Sequence, residues 1–195
     1  MVPSTVVLLL GGSIREHSYT QSLVRAIAER LETAEGADAH IWNLRNSPLP
    51  IADPEYHENP DAHPDSIVRA FAQLASSADA IVLATPIYHN GISGVMKNAL
   101  DHLTIQHFFL KPVGLASHGE ARTTQAVEQL RIVVRGLLGY AITTQVCTSE
   151  EDYTCAEMNE APVLAAASLI DRVSRFCREL AVMAQLMAYA RQLLA

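Results

Sequence analysis

At 195 residues the chain is long enough for one α/β domain with a sizeable core. Hydrophobic residues make up 49% and charged residues 18%, which excludes a disordered chain, and the net charge of −7 offers no basic surface to nucleic acid. No apolar run approaches the ~20 residues that a membrane helix needs, and the run at Val6 lacks the basic flank of a signal peptide. Cys147, Cys155 and Cys177 form no C-x-x-C pair and read as buried or idle thiols of a reducing compartment, so a cytoplasmic location is expected.

The first strand, Val6 to Leu10, is apolar throughout, as suits a strand buried on both faces of a parallel sheet. Gly11 and Gly12 end it, and a polar segment with Ser13, Arg15, Ser18 and Thr20 leads into a helix that begins near Ser18 and stops at Gly36. Unpaired N–H groups at a helix start attract an anion, and converging hydroxyls with one arginine suit a phosphate. The same residues also fit an ordinary βα turn with Ser18 as its cap. No lysine precedes Lys97, which excludes a P-loop. The turn is not G-x-G-x-x-G and the second strand ends Trp42-Asn-Leu44 without an acid, which argues against a dinucleotide fold. A mononucleotide phosphate is left.

The second strand spans about Ala39 to Leu44. A polar, proline-rich connection follows from Arg45 to Pro64; its His57 and His63 stand near Glu55, Glu58 and Asp61, but solvated loop residues are expected there rather than a metal site. The next helix is capped by Asp65 or Ser66, with Ile67, Phe71 and Leu74 as its core face. Strand three, Ala80 to Ala84, opens into Thr85-Pro-Ile-Tyr-His-Asn-Gly-Ile-Ser-Gly94, and Ser93 caps a helix reaching Leu103. Strand four, Pro112 to Ser117, opens into His118-Gly-Glu-Ala-Arg122, followed by a helix from Thr123 to Leu138 and a fifth strand from about Ala141 to Cys147. From Asn159 the pattern is helical to the end. The order β-α, five times repeated, predicts a doubly wound parallel sheet whose ligand sits beyond the carboxyl ends of its strands. The polar turns after strands one, three and four all fall on that edge.

Those turns resemble known motifs. Gly12-Ser-Ile-Arg-Glu-His-Ser-Tyr-Thr-Gln-Ser-Leu23 is similar to the G-S-x-R-x-x-S-x-x-x-x-L signature of NAD(P)H-dependent FMN reductases. Pro86-Ile-Tyr-His-Asn-Gly-Ile-Ser-Gly-Val-Met-Lys-Asn-Ala-Leu-Asp101 resembles their P-x-Y-N-x-x-x-P-G-x-L-K-N-x-x-D segment, and Ser117-His-Gly-Glu their third flavin loop. His40-Ile-Trp-Asn-Leu44 resembles the reductases of two-component monooxygenases. The resemblance covers residues 5 to about 147 and implies a single flavodoxin-like domain, 1–195, that binds FMN and uses NADPH or NADH. It assigns Ser13, Arg15, Ser18, Tyr19 and Thr20 to the FMN phosphate. Pro86, Ile87, Tyr88, His89 and Asn90 would meet the isoalloxazine edge, and Ser117, His118 and Gly119 its pyrimidine side. His89, Ser93 and the His118–Glu120 pair depart from the family pattern.

Such an enzyme passes hydride between cofactors, so no catalytic side chain is expected; His118 or a nearby backbone N–H is a candidate for stabilising the reduced flavin. Arg122 is a candidate for a nucleotide phosphate or a solvated helix start. The implied activity is reduction of FMN by NAD(P)H with electrons passed to an acceptor or a partner monooxygenase. The alternatives are a quinone or azo reductase with tightly bound FMN, and a non-enzymatic electron carrier. The last helix, taken as continuous from about Ala161 to Leu194, would be ~50 Å long. Its stripe Val163, Ala166, Ile170, Val173, Cys177, Leu180 and its nearly all-apolar segment from Leu180 to Ala190 predict a homodimer or homotetramer.

Overall fold

Alternation explains how the apolar strands serve two cores at once. In β1 (Val6–Gly11), Val7 and Leu9 face one side of the sheet while Leu8 and Leu10 face the other. The structure is a computed structural model describing residues 4–155 and 160–194. β2 (Asp38–Asn43), β1, β3 (Ala80–Pro86), β4 (Pro112–His118) and β5 (Tyr140–Thr148) form one parallel sheet in the order 2-1-3-4-5. That is the strand order of flavodoxin-like folds.

Two helices cover one face: α1 (Tyr19–Glu35) and α6 (Ala167–Leu194) pack Leu23, Ile27, Leu31, Phe176, Cys177 and Leu180 over Val7, Leu9, Val82 and Ala116. The other face carries α2 (Ser66–Ser77), α3 (Gly94–Asp101), α4 (Ile105–Phe108) and α5 (Gln125–Gly136). Gly114 is the point of closest approach: a Cβ there would lie 2.2 Å from Phe176 Cζ, so the bare backbone of β4 admits the ring that anchors α6.

Several expected boundaries move. The core face of α2 is Val68, Phe71, Ala72 and Ala75, with Ile67 and Leu74 half-buried at its margins. α5 stops at Gly136, so Leu137 lies past its last turn and Leu138 takes φ 59°. α4 had no periodic signal, being only four residues long; His107 Nδ1 accepts from Thr104 N at its start. The last helix is 28 residues, begins at Ala167 and is ~42 Å long at 1.5 Å per residue. Val163 precedes it in β7 (Val163–Leu164), which pairs antiparallel with β6 (Tyr153–Thr154), while the N–H groups of Ala165 and Ala166 donate to Asp152 O. With these N–H groups given to Asp152 O and not to the carbonyls of Ala161 and Pro162, the helix cannot run through this stretch. The expected start at Asn159 lies outside the described residues.

The long connection from Arg45 to Pro64 is stapled by histidines. His102 Nε2 donates to Pro50 O (2.9 Å), Asn98 Nδ2 to the same carbonyl (2.7 Å), and His63 Nδ1 accepts from Asp65 N. No helix among the described residues is long and apolar enough to cross a membrane.

Candidate functional site

Loop one is held in shape before any ligand is considered. Gln21 Nε2, one turn into α1, donates to Gly11 O (3.2 Å) and Ser13 O (3.0 Å). Gly12 N donates to Ala84 O, and Ser93 Oγ donates to Gly12 O at 2.6 Å while accepting from Met96 N as the cap of α3. Ser93 thus uses one hydroxyl to cap a helix and tie the loop after β3 to the loop after β1. A Cβ on Gly12 would meet both Ser93 and Met96 at 3.0 Å, so glycine is what lets the loops close together.

Of the two readings of the first turn, the cap is observed directly. Ser18 caps α1, its Oγ accepting from Gln21 N at 3.2 Å. Ser13, Ser18 and Thr20 are buried at the same helix start, while the Arg15 side chain stands exposed beside them. Ser13, Arg15, Ser18, Tyr19 and Thr20 line one cavity of about 460 Å³ together with Pro86, Ile87, Tyr88, His118 and Gly119. Ten of the thirteen candidate residues converge there, joined by Glu120 and Glu150.

The other three stand apart. Tyr88 to Gly91 form a tight turn closed by Tyr88 N to Gly91 O (3.0 Å) and Gly91 N to Tyr88 O (2.9 Å). His89 and Asn90 occupy its tip with φ of 51° and 62°, the left-handed pair of a type I′ turn, and both are exposed. Asn90 O accepts from Gln129 Nε2, which fixes the turn to α5. Ser117 lies fully buried behind His118, its Oγ without a hydrogen-bond partner among the described residues.

The corner around His118 carries a network the sequence did not reveal. The Tyr19 ring stacks on His118 at 4.5 Å and 16°, and Tyr153 meets both rings edge-on. Thr148 Oγ1 donates to Ser117 O (3.3 Å) and lies 3.1 Å from His118 Nδ1 and 3.0 Å from Tyr153 Oη. One hydroxyl proton satisfies this arrangement if Thr148 accepts from both His118 Nδ1–H and Tyr153 Oη–H, leaving His118 Nε2 as an acceptor. Burial pushes the His118 imidazole down to about 4, Glu150 and Asp152 offsetting only part of that. At neutral pH the ring is uncharged and brings no positive charge to the site. Burial, with the Glu150 carboxylate alongside, likewise raises the Tyr19 phenol.

Arg122 is neither a solvated helix start nor free. Its Nε donates to Asp152 Oδ2 (3.0 Å) and its Nη2 to Asp152 Oδ1, tying the loop after β4 to the loop after β5. Burial alone would raise the Asp152 carboxyl, but hydrogen bonds from Arg122 and Ser149 N outweigh it and hold the group below the usual range. Glu150, Asp152 and Tyr153 lie past the expected end of strand five at Cys147, and the polar run Ser149-Glu-Glu-Asp152 is the sequence signal that points to them.

Comparison with known proteins gives the family and the fold. The profile of the family described as NADPH-dependent FMN reductase matches residues 5–152. An FMN-dependent NADPH-azoreductase of Staphylococcus aureus (strain USA300) is 36% identical over 150 residues, covering 75% of this chain and 78% of that relative. Among solved structures, an oxidoreductase from Corynebacterium diphtheriae superposes with a TM-score of 0.73 at 19% identity, covering 92% of this chain and 96% of the other. A WrbA-like flavodoxin from Agrobacterium tumefaciens gives 0.57 at 18%, covering 93% and 98%.

Proposed function

Because the chain belongs to the NADPH-dependent FMN reductase family, and is an NAD(P)H-dependent flavin oxidoreductase, we propose that FMN is held in the 460 Å³ cavity and serves a small acceptor of the azo or quinone class. The observation that carries this is the convergence of three loops: a cationic, hydroxyl-rich helix start at one end of the cavity and two strand ends at the other. The donor set fits the group. A phosphate dianion would meet Arg15, the Ser13, Ser18 and Thr20 hydroxyls and the first N–H groups of α1. The ring would lie against Pro86, Ile87, Tyr88, His118 and Gly119, with Ser117 supporting His118 from behind. His89 and Asn90 would act from outside, shaping the entrance.

FMN, when bound, supplies the hydride chemistry. The protein's work is positional. Gln21 and Ser93 hold loop one, Ile87 N donates to His118 O and Gly119 N to Thr148 O, so the strand ends flanking the ring are rigid. Thr148 and Tyr153 keep His118 in one neutral tautomer, an acceptor at Nε2. No side chain is required to act as an acid or base on the substrate.

The whole chain, 1–195, is read as one flavodoxin-like domain, since α6 packs on the same sheet as α1. It is also read as an assembly. Val182, Leu186, Tyr189 and Leu193 recur at i, i+4, i+7 and i+11, all about half to two-thirds exposed, a stripe that a second copy would cover in a homodimer or homotetramer. A cytoplasmic setting suits three free thiols and a nicotinamide donor.

The deciding experiment is anaerobic mixing of the FMN-loaded protein with NADPH and NADH, followed by azo, quinone or free-flavin acceptors. Loss of the flavin's visible absorbance and a ping-pong pattern are expected with azo or quinone acceptors. A sequential pattern with free FMN would mean that the flavin leaves with the reducing equivalents for a flavin-dependent monooxygenase partner. Failure of both nucleotides to reduce the flavin would leave the electron-carrier reading. Light scattering at micromolar concentration tests the assembly: a monomer mass would exclude it.

A further inference from the structure

A second cavity, of about 370 Å³, lies on the outer side of edge strand β5, between the start of α5 and the first half of α6. Arg122, Arg172 and Arg175 line it, with the hydroxyl-bearing Thr124 and Ser168 and the apolar wall of Leu169. Three guanidinium groups around one hollow are conspicuous in a chain of net charge −7. Among the described residues no carboxylate lines it. Asp152 lies fully buried behind Arg122, Glu151 approaches Arg122 at 3.9 Å from solvent, and Asp171 is exposed on α6 beside Arg172.

Two of the arginines are aimed. Arg122 spends Nε and one terminal nitrogen on Asp152, and Arg172 spends Nε on Gln145 O at 2.6 Å. Each is gripped by one edge of its guanidinium, which leaves the opposite donors for an anion. Arg175 has no hydrogen-bond or ion-pair partner among the described residues and stands exposed at the rim. Set against the three arginines, the buried Asp152 and, from solvent, Glu151 leave the hollow net positive, as a phosphomonoester requires.

Position identifies the ligand. The segment from His118 to Arg122 has Gly119 and Glu120 on the flavin cavity and Arg122 on this one, so the two hollows flank one loop on the same sheet edge. An anion held here, one loop away from the 460 Å³ cavity, fits the far end of a molecule whose other end enters that cavity. We propose that this cavity receives the 2′-phosphate of NADPH and so sets a preference over NADH. The inference rests on the reading of the 460 Å³ cavity as the flavin site.

The test uses the intact, FMN-loaded protein and its Arg175→Ala and Arg172→Ala variants. Calorimetric titration with adenosine 2′,5′-bisphosphate and with adenosine 5′-monophosphate reads the site without turnover. Wild type should prefer the bisphosphate. Arg175→Ala, which removes no internal hydrogen bond, should weaken it about tenfold or more, the scale of a charge-assisted hydrogen bond, and leave the monophosphate within about twofold. KM for NADPH should rise by the same factor, with KM for NADH and the FMN dissociation constant unchanged. Equal binding of the two nucleotides by wild type, or equal losses for both in the variants, would overturn the proposal. If the bisphosphate is preferred but neither dinucleotide reduces the flavin, the fault lies with the reductase reading and not with this site.

Discussion

The charged groups at the two ends of the sheet are used in different ways. At the amino-terminal edge the described groups are consumed internally. Lys111 Nζ donates to Ala75 O (2.7 Å) and Ser76 O (2.8 Å), closing the last turn of α2. Asp79 accepts from Val6 N (3.1 Å) and from Arg191 Nη2 (3.0 Å), and Arg191 Nη1 donates to Leu110 O. At the carboxyl-terminal edge, Arg15, Arg175 and the hydroxyls at the start of α1 keep donors to spare. Binding capacity follows unspent donors, not charge as such. Substitution of a spent group should therefore change stability, and substitution of an unspent one binding alone.

The largest expected effect tests the saturated edge. Lys111→Ala orphans two carbonyls at the end of α2 and leaves a hollow beneath them, so unfolding should cost about 3 kcal/mol less, read by urea titration. FMN affinity should stay within about twofold of wild type, the distance between the edges making the two sites additive. A large loss of FMN affinity in a still-folded Lys111→Ala protein would erase the contrast.

Next comes the open edge. Arg15→Ala should weaken FMN by about 2 kcal/mol, the scale of a hydrogen bond to a charged group, with no change in urea midpoint because Arg15 supports nothing internal. Riboflavin, lacking the phosphate, should bind wild type and variant alike. Excess FMN should restore turnover. Arg191→Ala is smaller: the side chain is a quarter exposed, so its ion pair is partly screened, and about 1 kcal/mol of stability is expected to go.

What the sequence made legible follows the same division. The residues that line the cavity were readable because they sit in contiguous runs at strand ends: Ser13 to Thr20, Pro86 to Tyr88, His118 to Gly119. The spent groups were not, because their partners are remote in the chain. Nothing local pairs Lys111 with Ala75, Arg122 with Asp152, or Thr148 with His118. The start of α6 was misplaced for a related reason, since the donors of Ala165 and Ala166 go to a carbonyl thirteen and fourteen residues back. Strands buried on both faces gave the sheet away at once, their apolar runs having no other use.

The smallest effect at neutral pH, and the finest test, lies in how each edge titrates. His118 and Lys111 are both held below their ordinary values by burial, His118 at about 4 and Lys111 at about 8, the latter pushed further by Arg191 and partly restored by Asp79. A base depressed in the folded state binds fewer protons folded than unfolded between its two pKa values, so stability rises with pH across that window. For His118 the window runs from about 4 to 6.5: its contribution is intact above 6.5 and is lost as the pH falls toward 4. For Lys111 it runs from about 8 to 10.5, where stability should climb. His118→Gln should therefore match wild type at pH 7 in its urea-derived stability, apart from a constant offset, and show a shallower decline from pH 6.5 to 4.5. The difference in slope cannot exceed about 1.4 kcal/mol per pH unit, the ceiling for one titrating group. Lys111→Ala should leave that acid slope untouched. Parallel acid limbs for wild type and His118→Gln would mean that the ring titrates normally, and that a charged imidazole faces the flavin at mildly acidic pH.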